Sequence, residues 1–183
     1  GRDGVRLRDQ WAEGAQTYLG VGIPNFPNLF TVTGPGSPSV LCNMPVAIEQ
    51  HVEWIAACIG RMKSRGETRF EASAPAASAW MAHVNAAAHK TLLPSVPHSW
   101  YMGANVPGKP KTFLPYAGGM TRFREICDAV AAAEEMIEQG QTEDAVQVFA
   151  AVLEEDPENL AALGGLIRAF VALGRLEEAK AAL

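Results

Sequence analysis

The chain has 183 residues, 48% hydrophobic and 19% charged, a core-forming composition rather than that of a disordered polymer. Its formal charge of -5 argues against a broad basic surface for nucleic acid, and no apolar run approaches the roughly 18 residues of a membrane span. Three cysteines without a close pair, and no charged-then-apolar leader segment, lead us to expect a cytoplasmic setting with reduced thiols.

In chain order, the first predicted element is a short buried strand over 28–33. It is aromatic and β-branched, and it stops at Gly34-Pro-Gly-Ser-Pro38. A helix is predicted to follow. Ile48, Val52, Ile55, Ile59 and Met62 recur at helical steps of four, three, four and three, which is one apolar stripe. Pro45 suits its first turn and Asn43 its cap. His51 falls on the polar flank of that helix and is expected in solvent. A polar connection over 64–74 leads to a second helix over 76–89, with Trp80, Val84 and Ala87 on one side. Residues 91–120 are rich in Pro, Gly and aromatics and lack periodicity, which predicts a long functional loop.

The composition changes near residue 128. Every proline but Pro157, all four Trp and all three Tyr lie before it, and Ala, Glu and Leu dominate after it. We therefore expect two domains, 1–127 and 128–183. The second repeats itself: GQTEDA at 140–145 and GRLEEA at 174–179 align at an offset of 34, and Met136 aligns with Phe170. That period, with small residues at the helix crossing and a closing Pro157, resembles the tetratricopeptide repeat. Helices are expected over 129–139, 142–155, 159–173 and 175–183. The tail is also similar to the repeat region of some thioredoxin-like bacterial co-chaperones, although no CxxC motif accompanies it. This leaves open a non-catalytic, co-chaperone-like interaction module, with a protein partner bound through 128–183.

Single residues add little chemistry. His51, His83, His89 and His98 have no metal-ligand spacing. Ser37 lies in no nucleophile elbow and reads as a turn residue. Gly34-Pro-Gly36-Ser-Pro-Ser39 fails the dinucleotide fingerprint at its third glycine. On pattern alone it is also what a plain strand–turn–helix joint looks like.

Three strings in the first part carry a specific resemblance. They are WAEGAQTYL at 11–19 followed by Phe26-Pro-Asn-Leu-Phe30; TGPGSPSVLCNMPVAIEQHVEW at 33–54; and SWYMGANVPGKPKTFLPYAGG at 99–119. In this order they resemble the C-terminal region of Baeyer–Villiger monooxygenases, flavin enzymes that use FAD, NADPH and oxygen to insert oxygen beside a ketone carbonyl. The resemblance implies that Gly34, Pro35, Gly36, Ser37, Leu41, Asn43 and Met44 line FAD. It further implies that Trp100, Asn105 and Lys109 belong to a loop closing over NADP and a small ketone substrate. The family's two glycine-rich fingerprints and the signature between them have no counterpart here. Its catalytic arginine maps to no residue of this sequence, so no catalytic residue is assigned and the chain by itself is expected to be inactive. The fold implied is mixed α/β and helix-rich, a partial flavin-monooxygenase FAD domain followed by an all-α tetratricopeptide-like helical hairpin tail. No nucleic acid, membrane or metal partner is expected.

Overall fold

The computed structural model describes residues 1–96, 98–104, 107–155, 157 and 160–181. It contains helices α1 (Leu7–Gln10), α2 (Met44–Ser64), α3 (Ala74–His89), α4 (Met120–Glu138), α5 (Thr142–Glu155), α6 (Leu160–Ala172) and α7 (Leu176–Ala181). The chain divides into two compact units, Gly1–Met120 and Thr121–Leu183. Among the described residues no helix is long and apolar enough to cross a membrane.

The fold is helix-rich, and the strand expected over 28–33 does not form. Among the described residues the only β pairing is two isolated bridges, Tyr18–Gly22 and Gly22–Phe30. Asn28 and Thr33 sit at φ 60° and 51°, so the segment is bent back at both ends. A strand is stabilised by a continuous ladder, and here the pairing is piecemeal. Asn28 ties to the 68–70 segment with both backbone and side chain: its N–H donates to Phe70 O at 2.9 Å, Phe70 N–H donates to its Oδ1 at 2.9 Å and its Nδ2 donates to Thr68 O at 3.0 Å. Phe30 stacks on Phe70 at 5.2 Å between ring centroids.

Helix α2 forms as expected, with Pro in its first turn, but it turns a different face inward. Ala47, Gln50, His51 and Cys58 are its buried residues, whereas Ile48, Val52 and Ile59 are exposed. Three of the five expected stripe residues therefore face outward, with Ile55 and Met62 half-buried, and His51 is fully buried rather than solvated. Both faces have helical spacing; the more aliphatic one is not the one this unit covers. Helix α3 begins two residues earlier than expected, because the Ser73 side chain caps it by accepting from Ala76 N–H at 3.3 Å. It buries Ala77, Trp80, Met81, His83, Val84 and Ala88. With Leu19, Val21, Ile23, Phe113 and Tyr116 these supply the large buried side chains of the first unit.

In the second unit α4 starts well before the expected residue 129. The composition change near 128 thus falls inside a continuous helix. Phe123, Ile126, Val130 and Ala133 are all buried at helical spacing, a stripe that straddles the change. The repeat is visible in the hydrogen bonds. At the end of α4, Gly140 (φ 79°) donates to Ile137 O at 3.1 Å and Gln141 to Met136 O at 2.8 Å. At the end of α6, Gly174 (φ 72°) donates to Val171 O at 3.1 Å and Arg175 to Phe170 O at 2.9 Å. Both are the same glycine-terminated cap, in which the left-handed residue frees the chain to turn back. Val146, Ala169, Phe170 and Ala179 form the core between the helices, joined by Ile137, Leu166 and Ile167. A Cβ on Gly165 would lie 2.2 Å from the Phe149 ring, so α5 and α6 approach closely at that point.

Candidate functional site

The 34–37 turn is held from three sides. Thr17 Oγ1 donates to Pro35 O at 2.5 Å, and the buried Trp80 indole N–H donates to Gly36 O at 3.0 Å. An extended strip, 114–116, supplies the third side: Gly36 N–H donates to Leu114 O at 2.6 Å and Tyr116 N–H to Ser37 O at 2.7 Å. Inside the turn, the Ser37 hydroxyl donates to Gly34 O at 2.7 Å, which makes Ser37 a turn residue. The glycines are required by this packing. A Cβ on Gly34 would lie 2.6 Å from Gly20 O, and one on Gly36, at φ 84°, would lie 2.9 Å from Trp80 Nε1. Their missing side chains therefore admit neighbouring protein atoms.

The same strip reaches the other candidate segment. Leu114 N–H donates to Tyr101 O at 2.7 Å, within a 3-10 turn over Trp100–Met102 that the Ser99 side chain caps. Leu114 thus joins two segments more than 60 positions apart in sequence. Between them lies an open, mostly apolar cavity of about 150 Å³, lined by Thr33, Gly34, Pro35, Ser39, Trp100, Leu114 and Pro115. The Trp100 ring is 50% exposed and packs edge-on against Tyr101, 4.5 Å between centroids.

The structure therefore brings Gly34 and Pro35 together with Trp100. Gly36 and Ser37 are buried behind the lining. Leu41 closes a 3-10 turn, Asn43 is the exposed N-cap of α2 and Met44 its first residue; none of the three lines the cavity. The Asn43 side chain makes no capping bond. Lys109 does not line the cavity either, because its Nζ donates to Trp11 O at 3.1 Å. Asn105 lies outside the described residues. Cys42 is half-buried, its Sγ 3.1 Å from Ser39 O, and partial burial pushes the thiol up from its ordinary value. It is consequently protonated near neutrality and no nucleophile.

Leu114, Pro115 and His51 were not foreseen. Leu114 and Pro115 carry no polar group and sit in an aperiodic stretch, so only their place in the third string marks them. His51 Nδ1 accepts the Thr33 amide proton at 2.8 Å. Burial lowers its pKa to about 4, so the imidazole is neutral near pH 7. The signal for it was the alternative helical face, Ala47, His51, Trp54 and Cys58.

The family model for the tetratricopeptide repeat matches residues 136–183. Over 134 residues the chain is 40% identical to the acetone monooxygenase (methyl acetate-forming) of Gordonia sp. (strain TY-5), covering 73% of this chain and 25% of that protein. Over 130 residues it is 40% identical to a Baeyer–Villiger monooxygenase of Pseudooceanicola batsensis, covering 71% of this chain and 23% of that one. Among solved structures, oxidized steroid monooxygenase bound to NADP matches with a TM-score of 0.67 and 42% identity, over 73% of this chain and 24% of that chain. OTEMO in complex with FAD and NADP matches with a TM-score of 0.65 and 36% identity, over 72% and 24%. The chain is thus related to Baeyer–Villiger monooxygenases over most of its length, and spans about a quarter of the relatives it matches.

Proposed function

We infer that residues 1–127 are the C-terminal portion of an FAD- and NADPH-dependent monooxygenase that inserts oxygen next to a ketone carbonyl. In this reading the cavity is where the flavin-facing turn meets the nicotinamide-side loop. The observation that carries it is the lining, which unites Gly34 and Pro35 of one resembling segment with Trp100 and Leu114 of another.

The residues present fit one edge of such a cofactor. A full small-molecule site holds roughly 300–1,000 Å³, and a cavity of about 150 Å³ accepts part of a ring system only. Its apolar walls suit a flat heterocycle. FAD, when bound, supplies the oxygen chemistry and NADPH the hydride. This chain's part is positional: the Gly34–Ser37 turn fixes the flavin wall, and the Trp100 indole, a donor only, orients the nicotinamide ribose. Apolar Leu114 and Pro115 exclude water between them. The chain holds no phosphate-cradling loop for either dinucleotide, so by itself it does not turn over.

An antibody against residues 99–116 tests this in the source cells. The expected product is several times heavier than this chain, carries flavin and consumes NADPH when a small ketone is added. A flavin-free product of this chain's own size would overturn the reading. It would favour the second one, an interaction module, which the tetratricopeptide match over 136–183 supports and which takes a partner's helix or extended peptide.

A further inference from the structure

We propose that His51 is the positioning residue of this cavity, its imidazole holding the Thr33–Gly34 edge through an N–H···N hydrogen bond. The inference needs only the cavity's geometry and goes beyond the flavin reading.

Thr33 lines the cavity with its backbone at φ 51°. A β-branched residue is rare in the left-handed region, which costs an L-residue about 1–2 kcal/mol. Something must hold it there, and no β ladder does. Its own hydroxyl bonds only locally, donating to Val32 O at 2.7 Å. Its amide proton goes to His51 Nδ1 at 2.8 Å. A backbone N–H only donates, so Nδ1 must be bare and the imidazole proton must reside on Nε2. His51 is fully buried, and burial keeps the ring neutral near pH 7, so the acceptor is always available there.

The position of His51 along α2 gives the bond its effect. The cavity turn leads through the 3-10 turn at 39–41 into α2 at Met44, and two helical turns later the same helix returns His51 to Thr33. Both ends of the 33–43 segment are thereby tied to one rigid element. The far end is tied by chain continuity and the near end by the imidazole. Trp80 holds the middle through Gly36 O, independently of His51.

The experiment is solution NMR on the full 183-residue chain labelled with 15N. A through-hydrogen-bond 15N–15N coupling between the Thr33 amide and His51 Nδ1, with the proton on Nε2, is expected. A proton on Nδ1, or no coupling with both signals resolved, would overturn the proposal without any variant. Exchange of the Thr33 amide is then compared in His51→Asn, whose side-chain oxygen replaces the Nδ1 acceptor, and in His51→Leu. Loss of one hydrogen bond predicts about tenfold faster exchange in the leucine variant and near-native protection in the asparagine variant. The Trp80 indole proton should stay protected in both. Equal acceleration at Thr33 and the Trp80 indole would make His51 an ordinary core residue and sink the positioning role.

Discussion

At the scale of single residues, burial rather than sequence neighbours decides what each polar group does. His51 titrates in the unfolded chain near its ordinary value of 6.5, but in the folded chain only near 4. The folded value is the lower, so between the two the unfolded state binds more protons. His51's share of stability is then complete above pH 6.5 and declines as the pH falls towards 4. The separation corresponds to about 3 kcal/mol. Urea unfolding at pH 7.5 and 4.5 should show the native chain losing about 2–3 kcal/mol more than His51→Asn. An equal loss in both would mean that the ring is hydrated. In the sequence only the weaker helical face through Ala47, His51, Trp54 and Cys58 pointed to this, and His51 stands one residue before Val52 of the more conspicuous stripe. The turn residues were more legible: two glycines and two prolines in five positions announce a tight turn, whichever partners then hold it.

At the scale of elements, period and punctuation succeeded where they were redundant. Helix α5 was legible to the residue and α6 to within one at each end, because helical periodicity and the glycine caps repeat at an offset of 34. The strand at 28–33 failed for the opposite reason. Its composition was right, but a strand depends on neighbours that composition cannot supply. Helix α4 was begun too late because the glycines at 118 and 119 and the aromatic stretch before them hid its first turns. Helix α2 was found and its inner face misassigned, which gives a direct contrast. Ala47 is fully buried and Val52 is 51% exposed. Ala47→Glu places an unpaired carboxylate in the core and should cost more than about 3 kcal/mol, whereas Val52→Glu should stay within about 0.5 kcal/mol. Thermal melts followed by circular dichroism would separate them. If Val52→Glu proved the more damaging, the face assignment would be wrong.

At the scale of the molecule, the first unit leaves Leu29, Val32, Val46, Ile48, Val52 and Ile59 exposed. Ile48, Val52 and Ile59 recur at helical spacing on one side of α2, an aliphatic stripe that this unit leaves uncovered. Residues 1–127 produced alone should therefore melt broadly, at low temperature, and precipitate readily. A sharp cooperative transition in calorimetry would contradict this. The second unit should behave differently, because its helices are terminated and packed by repeated local contacts of the kind that fold repeat proteins.

The strip at 114–116 sets a limit on recombination. Leu114 gives its amide to Tyr101 and its carbonyl to Gly36, while Tyr116 gives its amide to Ser37. A chimera that grafts 99–111 from a relative and keeps its own 114–116 still has to match a foreign turn to a native splint. One that carries the graft through Tyr116 moves the mismatch to the glycine turn, where backbone atoms common to all side chains make the joint. The smallest transplantable piece is therefore set by where the hydrogen bonds cross, and it runs beyond the loop that the sequence delimits.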